Sequence, residues 1–259
     1  MTTWILLRGL TREAGHWGHF PEELRRTLGD ARVVAIDLPG AGRLHDAQSP
    51  TRIEDIATRC REQALVQGLQ PPFNLVALSL GAMVAVAWAK AHCDEIAAAV
   101  LINTSLGAHC PPWDRLRPRN YRALLRYVLA ANDRTRERVV FDLTCTNTTA
   151  RDDTIDEWVA IRRQRPVSMA NALRQLYAAA RYRPRARPAL RRLLVLAGRG
   201  DALVAPACSR RLALAWQASY GEHPNAGHDL THDDAGWVGA QIAKWWTGID
   251  ATADSVTAL

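Results

Sequence analysis

Asn74-Leu75-Val76-Ala77-Leu78-Ser79-Leu80-Gly81-Ala82-Met83-Val84-Ala85-Val86-Ala87-Trp88-Ala89 decides how this chain is read. Its first five residues are continuously apolar after Asn74 and predict a buried strand, while the small and apolar run from Gly81 predicts a helix lying on a sheet. A serine at so sharp a joint is held in a strained backbone geometry that lifts its hydroxyl above the sheet. It also sits at a helix N-terminus, where free N–H groups favour a developing negative charge. The pattern is G-x-S-x-G with Ala77 in place of the first glycine. Alanine is the mildest departure there, because the position needs a small side chain. Ser-x-Gly after an apolar run also occurs at ordinary turns, so the rest of the chain must carry the weight.

Outward from this segment, short apolar runs alternate with helical stretches, which predicts parallel strands joined by crossover helices. The strands are expected at residues 4–7, 33–36, 75–78, 98–102, 193–197 and 216–220. They are apolar throughout more than alternating, as befits a sheet covered on both faces. Thr51-Arg52-Ile53-Glu54 reads as a capping box opening a helix that runs to about Gly68. Pro206 suits the first turn of another helix, and residues 236–246 read as a final amphipathic one. The alternation breaks between Ser105 and Leu190, where prolines and helical stretches replace strands. We therefore expect a core of residues 1–104 and 191–249, an Arg-rich helical cap insertion at 105–190, and a polar C-terminal tail at 250–259.

Charge sets the insertion apart. It holds 17 Arg against 8 acidic residues, a net +9; the whole chain is +7, which leaves −2 for the remainder. Only Lys90 and Lys244 among the 33 basic residues are lysines, a bias toward arginine that does not explain this partition. No aromatic interleaving or recognition motif accompanies the charge, so nucleic acid is not expected as a partner. The five cysteines are odd in number and show no C-x-x-C spacing, which suggests a reducing compartment rather than disulfides or a zinc site. Asn103-Thr104-Ser105 and Asn147-Thr148-Thr149 then match the glycosylation pattern by chance. The apolar stretch 75–89 contains the Ser79 turn. Even as one helix it would reach only ~22 Å, short of a ~30 Å hydrocarbon core. The expected location is the cytoplasm, with no membrane span.

A serine hydroxyl needs a base to take its proton, and the base needs a third group to fix its tautomer. In strand–turn–helix serine sites the chain order is serine, acid, histidine. The acid candidate is Asp201, in Gly198-Arg199-Gly200-Asp201-Ala202-Leu203-Val204, just beyond the carboxyl end of a predicted strand. The histidine candidate is His228, in Ala226-Gly227-His228-Asp229, ahead of His223 and His232 because Gly227 permits close approach. Backbone N–H donors for an oxyanion are expected from Leu80, after the serine, and from Leu10, in the turn after the first strand. Trp17 and Phe20 follow that turn and read equally well as pocket lining or as core.

Taken together, the sequence resembles the α/β-hydrolase family. The matching pieces are Leu6-Leu7-Arg8-Gly9, Ile36-Asp37-Leu38-Pro39-Gly40-Ala41-Gly42, Ala77-Leu78-Ser79-Leu80-Gly81, Gly200-Asp201-Ala202-Leu203-Val204 and Ala226-Gly227-His228, in the family's order. The family usually has His-Gly where this chain has Arg8-Gly9. The resemblance implies a mostly parallel sheet of about six strands with helices on both faces and a helical cap. It implies a cofactor-free, metal-free serine esterase whose catalytic residues are Ser79, Asp201 and His228, with a small-molecule acyl ester as substrate. Size, cap and charge look most similar to pimeloyl-acyl-carrier-protein methyl ester esterases and related small carboxylesterases, which implies an acidic carrier protein at the basic cap. A thioesterase or acyltransferase would use the same three residues, and an inactive binding protein would share only the fold. A haloalkane dehalogenase is disfavoured, since that chemistry needs a carboxylate where Ser79 stands.

Overall fold

The structure, a computed structural model, describes residues 2–256. Six strands form one parallel sheet: β1 (Thr2–Leu7), β2 (Ala31–Ile36), β3 (Phe73–Leu78), β4 (Ile96–Ile102), β5 (Arg192–Gly198) and β6 (Ser219–His223). Their order across the sheet is β2-β1-β3-β4-β5-β6. From β1 the chain adds β2 on one side and then β3 to β6 on the other, so the winding switches between β1 and β3, parallel neighbours with Leu7 opposite Ala77. The carboxyl ends of β1 and β3 are therefore the topological switch point, the position at which open α/β sheets bind ligands.

The inner strands β3, β4 and β5 are almost wholly apolar because both their faces are buried. Ile5 and Leu7 of β1 join Leu75 and Ala77 of β3 in one core layer, while Trp4, Leu6, Val76 and Leu78 enter the other. Each Leu, Val or Ile so buried contributes about 1.5–3 kcal/mol. The first layer is covered by α2 (Ile53–Val66), α3 (Leu80–Ala91) and α9 (Pro206–Trp216), the second by α1 (Phe20–Leu28) and α11 (Ala235–Val256). Trp17 and Phe20 are buried in the second layer beside Trp4 and Leu24. They are core residues.

Between β4 and β5 lie α4 (Pro112–Arg115), α5 (Tyr121–Leu129), α6 (Asp133–Thr144), α7 (Arg151–Gln164) and α8 (Met169–Arg181); the short α10 (Leu230–Asp233) precedes α11. α6 and α7 carry a small core of their own around Phe141, Ile155 and Trp158. No helix among the described residues is long and apolar enough to cross a membrane.

Four sequence expectations are corrected. The last strand begins at Ser219, three residues later than predicted, because Trp216 completes α9 and is buried there. The residue capping α2 is Arg52, and no side chain bonds the helix end, so the Thr51–Glu54 capping box does not form. α11 continues to Val256, through most of the segment read as a polar tail; residues 257–259 lie outside the described residues. Finally, Cys110 and Cys208 form a disulfide across 98 residues, against the expectation of free thiols. Tertiary folding brings the start of the insertion onto α9, and spacing in sequence carries no trace of that.

Gly81 shows why α3 can start where it does. A Cβ there would lie 2.1 Å from the Leu7 carbonyl oxygen and 2.6 Å from that of Arg8. Close approach thus falls on Gly81, while buried Ala77 is accommodated within the core. Gly81→Ala is expected to lower stability by about 1–3 kcal/mol, read as a fall in Tm of roughly 2–10 °C in a thermal melt. An unchanged melting point would contradict this packing.

Candidate active site

Ser79 sits at the joint of β3 and α3 with φ 54° and ψ −112°, a left-handed conformation costly for any residue but glycine. Three bonds hold it there. Its N–H donates to the Ile102 carbonyl at 2.9 Å, and its own carbonyl accepts from the Ala82 N–H at 3.1 Å and the Thr104 hydroxyl at 3.0 Å. The hydroxyl is thereby aimed off the carboxyl edge of the sheet.

His228 and Asp201 meet it there. Ser79 Oγ lies 3.0 Å from His228 Nε2, and His228 Nδ1 lies 2.7 Å from Asp201 Oδ2. The other Asp201 oxygen accepts the Leu203 and Val204 N–H groups at 2.8 and 2.9 Å. A carboxylate only accepts, so Asp201 selects the Nδ1–H tautomer and leaves the Nε2 lone pair facing the serine hydroxyl. Burial pushes the His228 pKa down, but the charge and hydrogen bond of Asp201, helped by Asp229, outweigh it and raise the pKa above 6.5. The rival histidines are engaged elsewhere. His223 bonds Asp234 and the Asn225 and Ala226 N–H groups, and His232 packs edge-on against Phe141 and Trp158.

Leu80 supplies the first N–H of α3, one of those a helix leaves without an intrahelical partner. Leu10 lies in the turn after β1, and among the described residues no acceptor takes its N–H. Gly9 of that turn is close enough that a Cβ there would be 3.3 Å from the Ser79 Cβ.

Three supporting residues escaped the sequence reading. Arg8 is 2% exposed, lies over the Trp17 ring, and forms a two-pronged ion pair with Asp229, at 3.1 and 2.5 Å. It ties the turn holding Leu10 to the loop holding His228. Burial alone would raise the Asp229 pKa, yet Arg8 drives it well below the usual carboxylate range. Asn103, also left-handed at φ 46°, donates from Nδ2 to the Gly227 and His228 carbonyls and accepts the Gly198 N–H. Gln175 of α8 is fully buried; it accepts the Thr11 N–H at 3.0 Å and donates to the Pro39 carbonyl at 3.2 Å. The one available signal was the replacement of His by Arg8 before Gly9, since a buried arginine demands a carboxylate.

The insertion also grips the loop of Asp201. Arg117 donates to the Asp201 carbonyl, Asn120 to that of Ala202, and the Ala205 N–H to that of Asp114. Cys145, His232 and Asp233 bring potential metal-ligating atoms within 4.8 Å of one another. Both Asp233 oxygens, however, already accept N–H groups, from Thr146, Asn147 and Gly227, and so brace the His228 loop.

Arg8→Met is expected to cost about 3–5 kcal/mol, because it strands the Asp229 carboxylate in a buried site. Adding Asp229→Leu should recover a large part of that loss in urea unfolding. Strict additivity of the two changes would mean that the pair is not coupled.

Comparison with known proteins agrees with this architecture. The description "Alpha/beta hydrolase family" matches residues 4–241. Among solved structures, BpoC from Mycobacterium tuberculosis H37Rv, described as a non-heme bromoperoxidase, is similar at 20% identity and a TM-score of 0.76, covering 96% of this chain and 93% of that one. The enol-lactonase of Burkholderia xenovorans LB400 is similar at 19% identity and 0.75, covering 95% and 91%. A thermophilic esterase from Thermogutta terrifontis is similar at 20% identity and 0.69, covering 96% and 90%. At such identities the likeness shows the fold alone. No curated protein sequence matches the chain.

Proposed function

Because this chain belongs to the alpha/beta hydrolase family, we propose that it is a serine hydrolase cleaving carboxylic esters through an acyl-enzyme. The observation that carries this reading is the chain of hydrogen bonds from Asp201 through His228 to Ser79, ending on a strained serine at the sheet's switch point. His228 Nε2 takes the hydroxyl proton as Ser79 Oγ bonds to the ester carbonyl carbon. The carbonyl oxygen becomes an oxyanion held by the Leu80 and Leu10 N–H groups, each such donor worth about 3–4 kcal/mol. Collapse breaks the bond to the alcohol oxygen, which leaves with the proton from His228. Water then repeats the sequence on the acyl-enzyme, releasing the acid and restoring Ser79. Asp201 stays ionised throughout and stabilises the imidazolium.

In this reading the helices of residues 105–190 act as a cap, with Gln175 bracing the turn of Leu10 from above. The esterase and enol-lactonase among the similar structures are in keeping with ester chemistry. The acidic carrier protein inferred from the +9 charge has weaker support, because much of that charge is spent internally. Arg134, Arg136, Arg151, Arg162 and Arg165 all pair with carboxylates.

The test is a panel of p-nitrophenyl esters of graded acyl length, run beside acyl-thioesters. Preference for esters supports the proposal, preference for thioesters moves the assignment to a thioesterase, and no turnover of either leaves a binding protein on this fold. The same assay reads the pH dependence. His228 must be neutral to act as base, and its pKa is raised, so kcat/KM should climb with pH along a limb centred above 6.5. Asp201→Asn should shift that limb downward, since it removes the charge that holds the proton. A limb below pH 6 in the unmodified enzyme would contradict the assigned base.

A further inference from the structure

α8 is built inside out. Its inward face carries the buried amides of Asn171 and Gln175 beside Ala178, and they bond the Ser49 N–H, the Thr11 N–H and the Pro39 carbonyl. At 3.6 residues per turn, positions 169, 173, 176 and 180 fall on the opposite side. There Met169, Leu173 and Leu176 stand in water, with Leu173 58% and Leu176 44% exposed. With Thr51, Arg174, Tyr177 and Ala180, the two leucines line an open groove of about 590 Å³. α5 repeats the spacing: Tyr121, Leu125, Val128 and Leu129 are all exposed, Leu129 by 73%, and no α5 residue is buried. Elsewhere among the described residues, the exposed large apolar side chains are Leu65 and Val66 at the end of α2, Trp113, Leu214 and Tyr220. An ordinary surface does not gather so many.

Unpaired arginine flanks α8, although Arg32, Arg43, Arg119, Arg138 and Arg191 likewise have no carboxylate partner among the described residues. Arg134, Arg136, Arg151 and Arg162 of α6 and α7, and Arg165 just beyond, pair with Asp133, Glu137, Asp142, Asp152 and Glu13, whereas Arg138 of α6 does not. Among the described residues, Arg122 and Arg126 of α5 have no carboxylate partner, nor do Arg174, Arg181, Arg183 and Arg185 on or just after α8. Arg181 instead donates to the Tyr177 hydroxyl at 2.9 Å, at the edge of the apolar stripe.

We propose that the outer face of α8 docks on an anionic lipid bilayer. Helices with an apolar face of Leu, Met and aromatic residues flanked by arginine lie in the headgroup region, and anionic lipid strengthens their hold. Tyrosine and tryptophan favour that same depth; Tyr177 lies on α8, and exposed Trp113 lies on α4, whose Arg115 donates to the Ala179 and Ala180 carbonyls of α8. A second copy of this chain fits less well, since it would bring two cationic faces together.

The experiment uses full-length protein carrying Ser79→Ala, so that binding is read without turnover and independently of the proposed hydrolysis. The protein is sedimented with phosphatidylcholine vesicles with and without phosphatidylglycerol. Strong binding is expected only with phosphatidylglycerol, weakening as salt rises. Leu173→Asp with Leu176→Asp should abolish it, and Arg174→Gln and Arg185→Gln should each weaken it roughly fivefold. Neither set should alter the circular dichroism spectrum or, in the Ser79 protein, turnover of a soluble short-chain ester. Three results would overturn the proposal: no vesicle binding, equal binding to neutral vesicles, or a dimer that Leu173→Asp dissociates. In the first of these, binding of an acidic carrier protein would identify a protein partner instead.

Discussion

Ser79→Ala should abolish ester turnover, with a loss in kcat on the order of 10⁶-fold, the scale expected when the nucleophile of a coupled serine–histidine pair is removed. It should also abolish covalent labelling by a fluorophosphonate probe, which ought to attach once, at Ser79. The reasoning is geometric. The hydroxyl sits 3.0 Å from a histidine nitrogen whose other nitrogen is fixed on a buried carboxylate. The fold should survive, because Ser79 is held by backbone bonds to Ile102, Ala82 and Thr104 that the substitution leaves in place. Full labelling of the Ser79→Ala protein would sink the assignment of the nucleophile.

The second large effect is expected at His228. His228→Ala should lower kcat by roughly 10³-fold or more. Among the described residues, His228 alone hydrogen-bonds the Ser79 hydroxyl. His223→Ala and His232→Ala should stay within about tenfold in kcat, roughly 1.4 kcal/mol. These side chains bond Asp234 or pack on Phe141 and Trp158, and neither contacts Ser79. Steady-state kinetics on the three variants decides the matter. If His232→Ala is the inactive one, the base has been misassigned.

The positions of Ser79, Asp201 and His228 were legible in the sequence because each carries a local mark. A small-residue turn flanks Ser79, a strand end precedes Asp201, and a glycine precedes His228. Their supports carry no such mark. Arg8 and Asp229 are 221 residues apart, Thr11 and Gln175 164 apart, and Asn103 and His228 125 apart. Each pair exists only because the carboxyl ends of β1, β3, β4 and β5 converge with α8 above them. The same holds for Cys110 and Cys208.

The sequence by itself determined the parallel sheet, since its inner strands are apolar on both faces and such runs have no alternative but to be covered twice. It also marked Ser79, Asp201 and His228, the three residues that the fold brings into hydrogen-bond contact. Tertiary structure decided the edges and the inversions. β6, Ser219-Tyr220-Gly221-Glu222-His223, is half exposed at the sheet's rim and lacks the apolar run that marks an inner strand. α8 turns its amides inward and its leucines outward, because the Thr11 N–H, the Ser49 N–H and the Pro39 carbonyl need partners on the inner side. A rule that places apolar residues inside reads that helix backwards. Burial follows from which backbone groups a neighbouring loop leaves unpaired, and only the folded chain brings those groups and the amides of α8 together.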